Sequence, residues 1–126
     1  MIVCAIEDLL FSIKISTAAK QLGVNVYFER FGDRVLSTIR DKQPSLVIFD
    51  LNSSRLDPMK VIAAMKTDPQ LRTVKTLGYV AHVDSDAIAA ARQAGIDQVL
   101  ARSAFVERLG ALLAQPSSPP SSTSTT

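Results

Sequence analysis

The chain has 126 residues, of which 47% are hydrophobic and 21% charged, with a formal net charge of +2. That length supports one domain with a real core and no more than one. Lys and Arg are scattered, with no basic block to track a phosphate backbone, so nucleic-acid binding is not expected. No run approaches the roughly 20 apolar residues of a membrane span, and no basic region precedes the N-terminal apolar run, so a cytoplasmic location without membrane association is expected.

Residues 2–6 are a short apolar run followed at once by Glu7 and Asp8. The single cysteine, Cys4, lies inside that run, has no internal disulfide partner and reads as an ordinary buried thiol. Over residues 9–22, Leu10, Ile13, Ala18 and Leu22 recur between polar Ser12, Lys14, Ser16 and Lys20, a helical spacing that stops at Gly23. Val24, Val26 and Phe28 then alternate with Asn25, Tyr27 and Glu29, the period of a half-exposed strand at a sheet edge.

Residues 32–42 carry Val35, Leu36 and Ile39 on one face of a second helix. The next stretch, Leu46-Val47-Ile48-Phe49-Asp50, is four apolar residues ending on a carboxylate. A run without polar alternation suits a strand covered on both faces, as in a parallel sheet between helices. Asp57-Pro58 reads as a helix start, Asp as the cap and Pro at the first helical position, with Met59, Ile62 and Met65 as core. Residues 74–80 give a fourth strand and residues 84–94 a helix ending at Gly95. Residues 98–101 give a fifth strand, and Ser103 is expected to cap a last helix with Phe105, Leu109 and Leu112 inside. From residue 115 only Gln, Pro, Ser and Thr remain, so 115–126 reads as a disordered tail after a folded domain over 1–114.

Five β-α units joined by right-handed crossovers predict an α/β fold: a three-layer α/β/α sandwich on a five-stranded parallel sheet of order 2-1-3-4-5. The first and third strands are then neighbours. Glu7, Asp8 and Asp50 meet at the rim where the strands end, the place where ligands collect in open α/β sheets. Three acids packed together repel, and either protonation or a cation relieves the cost. Carboxylates facing an open crevice suit Mg²⁺, with the backbone carbonyl of Asn52 as a further ligand. A carboxylate beside such a cation can act as nucleophile in phosphoryl transfer.

With these residues in view, the sequence resembles the receiver domain of two-component response regulators, which includes the single-domain chemotaxis regulator and has the flavodoxin-like fold. The motifs are Ile6-Glu7-Asp8, Val47-Ile48-Phe49-Asp50, Gln93-Ala94-Gly95 and Arg102-Ser103-Ala104-Phe105, and the resemblance spans residues 1 to about 114. It implies Asp50 as phosphoacceptor from a histidine kinase, with Glu7, Asp8, Asp50 and the Asn52 carbonyl around Mg²⁺. The chain departs from the family pattern in three places. Val80 stands where the family has a Thr or Ser whose hydroxyl bonds the phosphoryl group. Arg102, followed by Ser103, replaces a Lys followed by Pro; its planar fork still offers a charge to Asp50 or a phosphate. Val99 replaces a Tyr or Phe that swings inward with the Thr. A hydrogen bond to a charged group contributes about 1.5–3 kcal/mol, whereas throwing a two-state switch from mostly off to mostly on takes about 5.5 kcal/mol. The switch is therefore expected to be weak.

The fourth helix, with Ala87, Ile88, Ala89, Ala90, Ala91 and Ala94, lacks large side chains and is expected to leave apolar surface exposed. The resemblance implies partner binding or a homodimer through the fourth helix, fifth strand and fifth helix. His82 has no visible catalytic companion and reads as a solvated loop residue, and Tyr79 as packed under a helix. The expected function is a stand-alone receiver in phosphorelay signalling that works through protein partners and is not an enzyme. The alternative is a pseudo-receiver, an interaction module independent of phosphorylation. A flavin or nucleotide binder would need a Gly/Ser/Thr-rich loop after the first strand, where Glu7-Asp8-Leu9-Leu10 stands instead.

Overall fold

Apolar runs just long enough to cross a sheet become parallel strands, and the amphipathic segments between them become crossover helices. The computed structural model describes residues 1–82 and 84–114; the expected tail at 115–126 lies outside the described residues. In chain order the elements are β1 (Ile2–Ala5), α1 (Leu9–Leu22), β2 (Val26–Glu29), α2 (Gly32–Lys42), β3 (Leu46–Asp50), α3 (Pro58–Thr67), β4 (Lys75–Val80), α4 (Ser85–Ala94), β5 (Gln98–Ala101), α5 (Arg102–Glu107) and α6 (Leu109–Leu113). The sheet is parallel throughout with order β2-β1-β3-β4-β5, as the sequence predicts.

Successive strand residues feed two separate cores, because side chains alternate across a sheet. Val3, Ala5, Val47 and Phe49 pack with Val35 and Ile39 of α2, Val61, Ile62 and Met65 of α3 and Ala91 of α4. Ile2, Cys4, Ile48, Leu77 and Tyr79 pack with Phe11, Ile15 and Ala19 of α1, Phe105 of α5, and Leu109, Leu112 and Leu113 of α6. Fully burying one Ile, Leu or Phe side chain contributes about 1.5–3 kcal/mol, so these layers fix the frame on which the rim is built. Burial also pushes the Cys4 thiol pKa far up, which keeps it protonated and inert.

Four local expectations change. The inward stripe of α1 is Phe11, Ser12, Ile15 and Ala19, while Leu10 is 79% exposed, Ile13 55% and Leu22 45%. Asp8 sets this rotation by capping the helix: its Oδ1 accepts from the Phe11 N–H at 3.1 Å, and Phe11 turns down onto Tyr79 and Phe105. Asp57 does not cap α3 through its side chain. It sits in the left-handed region (φ 47°, ψ 58°) and only its carbonyl enters the helix, accepting from Val61 N–H, while Pro58 is at the first helical turn as expected. Ser103 is likewise no cap, because α5 already begins at Arg102. The last helix is also broken at Arg108 (φ −101°, ψ 8°) into α5 and α6.

Gly23 and Gly95 end α1 and α4 in left-handed conformations (φ 69° and 105°), as their positions predict. Gly78 in β4 lets Leu51 cross the sheet closely, since a Cβ there would lie 2.6 Å from Leu51 Cδ1.

Candidate functional site

The pairing of β1 with β3 decides where the acids go. Ala5 lies beside Phe49 in that ladder, so the residues that follow, Glu7 and Asp8 from one strand and Asp50 from the other, emerge at the same rim. Asp50 is half-buried, pairs with Tyr79 across to β4, and its Oδ1 accepts from the Asn52 N–H at 3.0 Å. Its carboxyl pKa is raised. Burial is the main cause; the Asn52 N–H and the Arg102 charge oppose it, and the charges of Glu7 and Asp8 add to it.

The other two acids are engaged by arginine. Arg102 Nη2 donates to Asp8 Oδ2 at 3.3 Å, and its guanidinium lies 4.2 Å from the Phe11 ring centroid. Arg102 thus joins the rim, but its ion pair is with Asp8 rather than Asp50. The Asp8 carboxyl is held below its usual range, chiefly by the Phe11 N–H of the helix cap, against its own partial desolvation and with help from Arg102. Glu7 Oε1 accepts from the Ser53 hydroxyl, and Glu7 Oε2 pairs with Arg55 at 3.4 Å. Sequence reading missed Arg55 and Ser53; their signal was only that the loop after Asp50 reads Asn52-Ser53-Ser54-Arg55, rich in short donors and one cation.

Hard carboxylate oxygens suit a Mg²⁺ ion chemically. As arranged, however, no group of three or more His, Cys, Asp or Glu among the described residues is placed to hold a metal ion. The oxygens of Glu7 and Asp8 are turned toward arginine, serine and a helix N–H. The expected ligand set of Glu7, Asp8, Asp50 and Asn52 is gathered at one rim, with the Glu7 and Asp8 oxygens engaged by other partners.

Val80 ends β4 with its side chain 5% exposed, so that position offers no hydroxyl to the rim. Val99 of β5 pairs with Gly78 and packs against the core under α4. Tyr79 is buried and stacked 5.2 Å from Phe105, and burial pushes its phenol pKa far up, which fits a packing role. His82 is exposed in the loop after β4, as expected. A shallow depression beside the rim is lined by Val80, Ala81, Ala101, Arg102, Ser103 and Val106. On α4, Ile88 packs against the core and Ala91 is buried, while Ala89 is exposed and Ala87, Ala90 and Ala94 are part-exposed, so small apolar surface remains on that helix; large exposed hydrophobics include Leu9, Leu10 and Ile13 of α1.

No protein-family model and no curated protein matches the chain. Among solved structures, it is similar to a response regulator from Hahella chejuensis with a TM-score of 0.80 at 15% identity, covering 90% of this chain and 91% of that one. It is similar to the Mn²⁺-bound form of response regulator Rcp1 with a TM-score of 0.77 at 16% identity, covering 94% and 97%. It is also similar to the receiver domain of sensor histidine kinase PA1611 from Pseudomonas aeruginosa PAO1, with magnesium coordinated in its active-site cleft, with a TM-score of 0.77 at 17% identity, covering 89% and 92%. At such identities the likeness is one of fold.

Proposed function

We propose, from the premise that the chain has the receiver fold of response regulators, that residues 1–114 act as a receiver in phosphorelay signalling with Asp50 as phosphoacceptor. The observation that carries this is the convergence of Asp50 with Glu7 and Asp8 at the carboxyl ends of β3 and β1. An oxygen of the Asp50 carboxylate attacks the phosphorus of a phosphohistidine or a small acyl phosphate. The bond from phosphorus to the leaving nitrogen or oxygen breaks, and the leaving group departs with the electron pair. Arg102, held on Asp8 and stacked on Phe11, supplies positive charge beside the acceptor. The raised pKa of Asp50 leaves it a better nucleophile than an ordinary surface Asp once ionised.

Two neighbours of the same fold are metal-bound, which supports a divalent cation at the acidic rim of this chain, held by Glu7, Asp8, Asp50 and the Asn52 carbonyl, where it would supply neutralisation of the phosphoryl charge. In this chain Glu7 and Asp8 must first give up Arg55 and Arg102, so such binding is weak. Output is through protein partners, a histidine kinase upstream and a binding protein downstream. A homodimer over α4, β5 and α5 would rest on small side chains. Among the described residues no helix is long and apolar enough to cross a membrane.

A pseudo-receiver is the second reading, favoured by the arginine-engaged acids and by Val80, which leaves an acquired phosphate without a hydroxyl to bind. Acetyl phosphate labelling followed by intact mass separates the two. The receiver gains one phosphoryl mass that Asp50→Ala does not. Equal absence of that mass in both proteins leaves only the interaction module.

A further inference from the structure

Away from the acidic rim, β2 pairs with β1 alone, so its outer side is an open sheet edge. The Asn25 carbonyl accepts from the Ile2 N–H at 2.9 Å, and peptide groups alternate in direction along a strand, so Val26 and Phe28 turn theirs away from β1. Tyr27 and Glu29 stand beside Val3 and Ala5 in the register, on the α2 side. Of five Phe and two Tyr, only Tyr27 and Phe31 are exposed, at 40% and 59%, and both lie along this edge. Each carries a cation: Lys42 Nζ is 4.7 Å from the Tyr27 ring centroid, and the Arg34 guanidinium is 5.1 Å from that of Phe31. The backbone of Phe31 is held from beneath. Glu29, which is buried, accepts from the Phe31 N–H at 3.2 Å and from the Thr38 hydroxyl at 2.7 Å. The next residue, Gly32, lies so near the Arg55 carbonyl that a Cβ would come within 2.5 Å of it. Rings fixed in water beside arginine are what the buried centres of protein interfaces are rich in.

We propose that this edge binds an extended acidic segment of another protein, which adds to β2 as a sixth strand. The segment's backbone takes the outward peptide groups of Val26 and Phe28, an apolar side chain packs on Tyr27 and Phe31, and carboxylates meet Lys42, Arg34 and Arg30. The charges select this occupant. The exposed cations of the flank are Arg30, Arg34 and Lys42, Arg40 being taken by Asp68, while the Glu29 carboxylate is spent inside the fold. A second copy paired edge to edge would set cations against cations. A nucleic acid would meet Asp33 and Asp41 between the cations and has no use for a peptide edge. No part of this surface requires Asp50 to accept phosphate.

The test is a ¹⁵N–¹H titration of the full chain with a capped peptide in which glutamate alternates with valine and phenylalanine. The amides of Val26 and Phe28 should shift, and at saturation they should exchange about tenfold more slowly, the effect expected for one new hydrogen bond each. A peptide with lysine for every glutamate, or one with alternate amides N-methylated, should bind about tenfold more weakly or worse. Phe31→Ala should cost about tenfold in affinity for the glutamate peptide. The double variant Arg34→Glu, Lys42→Glu should reverse the preference and take the lysine peptide, a gain that a merely loosened edge does not give. Val26 and Phe28 amides that stay in place up to millimolar peptide, or equal binding of the glutamate and lysine peptides, overturn the proposal. So does a short DNA duplex that shifts the same amides more strongly, or sedimentation of the peptide-free chain as a dimer that Phe31→Ala dissociates.

Discussion

The two ends of the sheet treat a carboxylate in opposite ways. At the rim where the strands end, Asp50 is half-buried with one backbone donor and two acidic neighbours, and its carboxyl pKa is raised. At the opposite end, Asp97 lies just before β5. Its Oδ2 accepts from the Thr76 N–H and hydroxyl, both at 2.9 Å, and from Lys66 at 3.4 Å, while its own N–H donates to Thr76 Oγ1 at 2.9 Å. Burial acts to raise the Asp97 carboxyl, but the Thr76 donors and Lys66 outweigh it and the pKa falls. One end stabilises the fold through a satisfied acid; the other keeps an unsatisfied acid available for chemistry.

Breaking the satisfied end should have the largest effect. Asp97→Ala leaves the buried Thr76 N–H and hydroxyl without their acceptor and should cost about 2 kcal/mol in urea unfolding at neutral pH. Because the folded pKa of Asp97 lies below its unfolded value, the ionised form favours the fold. Its contribution is present above the unfolded pKa and is lost as pH falls through the folded one, so the gap between wild type and variant should narrow in acid. A gap that holds constant into acid would assign the loss to something other than the charge. Relieving the unsatisfied end comes next and has the opposite sign. Asp50→Asn should stabilise the protein by roughly 1 kcal/mol at neutral pH, about 4 °C in thermal midpoint. Here the folded pKa lies above the unfolded one, so protonation favours the fold. That benefit is complete below the unfolded value and lost as pH rises through the folded value, so wild type should approach the variant on acidification. Lower stability of Asp50→Asn at neutral pH would mean that the rim has no strain to release.

The two ends were also unequally legible in the sequence. Unbroken runs such as Leu46 to Asp50 and helix-ending glycines such as Gly95 are local signals, and they sufficed for strand order and for the meeting of Glu7, Asp8 and Asp50. What lay beyond reach depends on where long or polar side chains settle once neighbours are present. Leu10 and Ile13 satisfy a helical period as well as Phe11 and Ile15 do; only the Asp8 cap and the aromatic contacts with Tyr79 and Phe105 select the second set. The pairing of Asp97 with Thr76 and Lys66 joins residues 21 and 31 positions apart and carries no local pattern. The arginines that occupy Glu7 and Asp8 come from α5 and from the loop before α3, so three acids in sequence read as a cation site until those side chains are placed.

Arg102 gives the smallest effect on stability and the sharpest on electrostatics. Its pair with Asp8 is more than a third exposed on both sides, so screening by water leaves little net energy, and Arg102→Ala should cost only about 0.5 kcal/mol including the lost stacking on Phe11. Its charge nevertheless lowers the Asp50 carboxyl, so removing it should raise the Asp50 titration further, as read by carboxyl ¹³C shifts. Arg102→Lys separates the two contributions. An ammonium keeps the charge but not the planar stack, so stability should follow the alanine variant while the Asp50 titration stays near that of wild type. If instead the Asp50 titration is the same in all three proteins, Arg102 acts on Asp8 alone, and the rim's resemblance to the satisfied end is closer than its geometry implies.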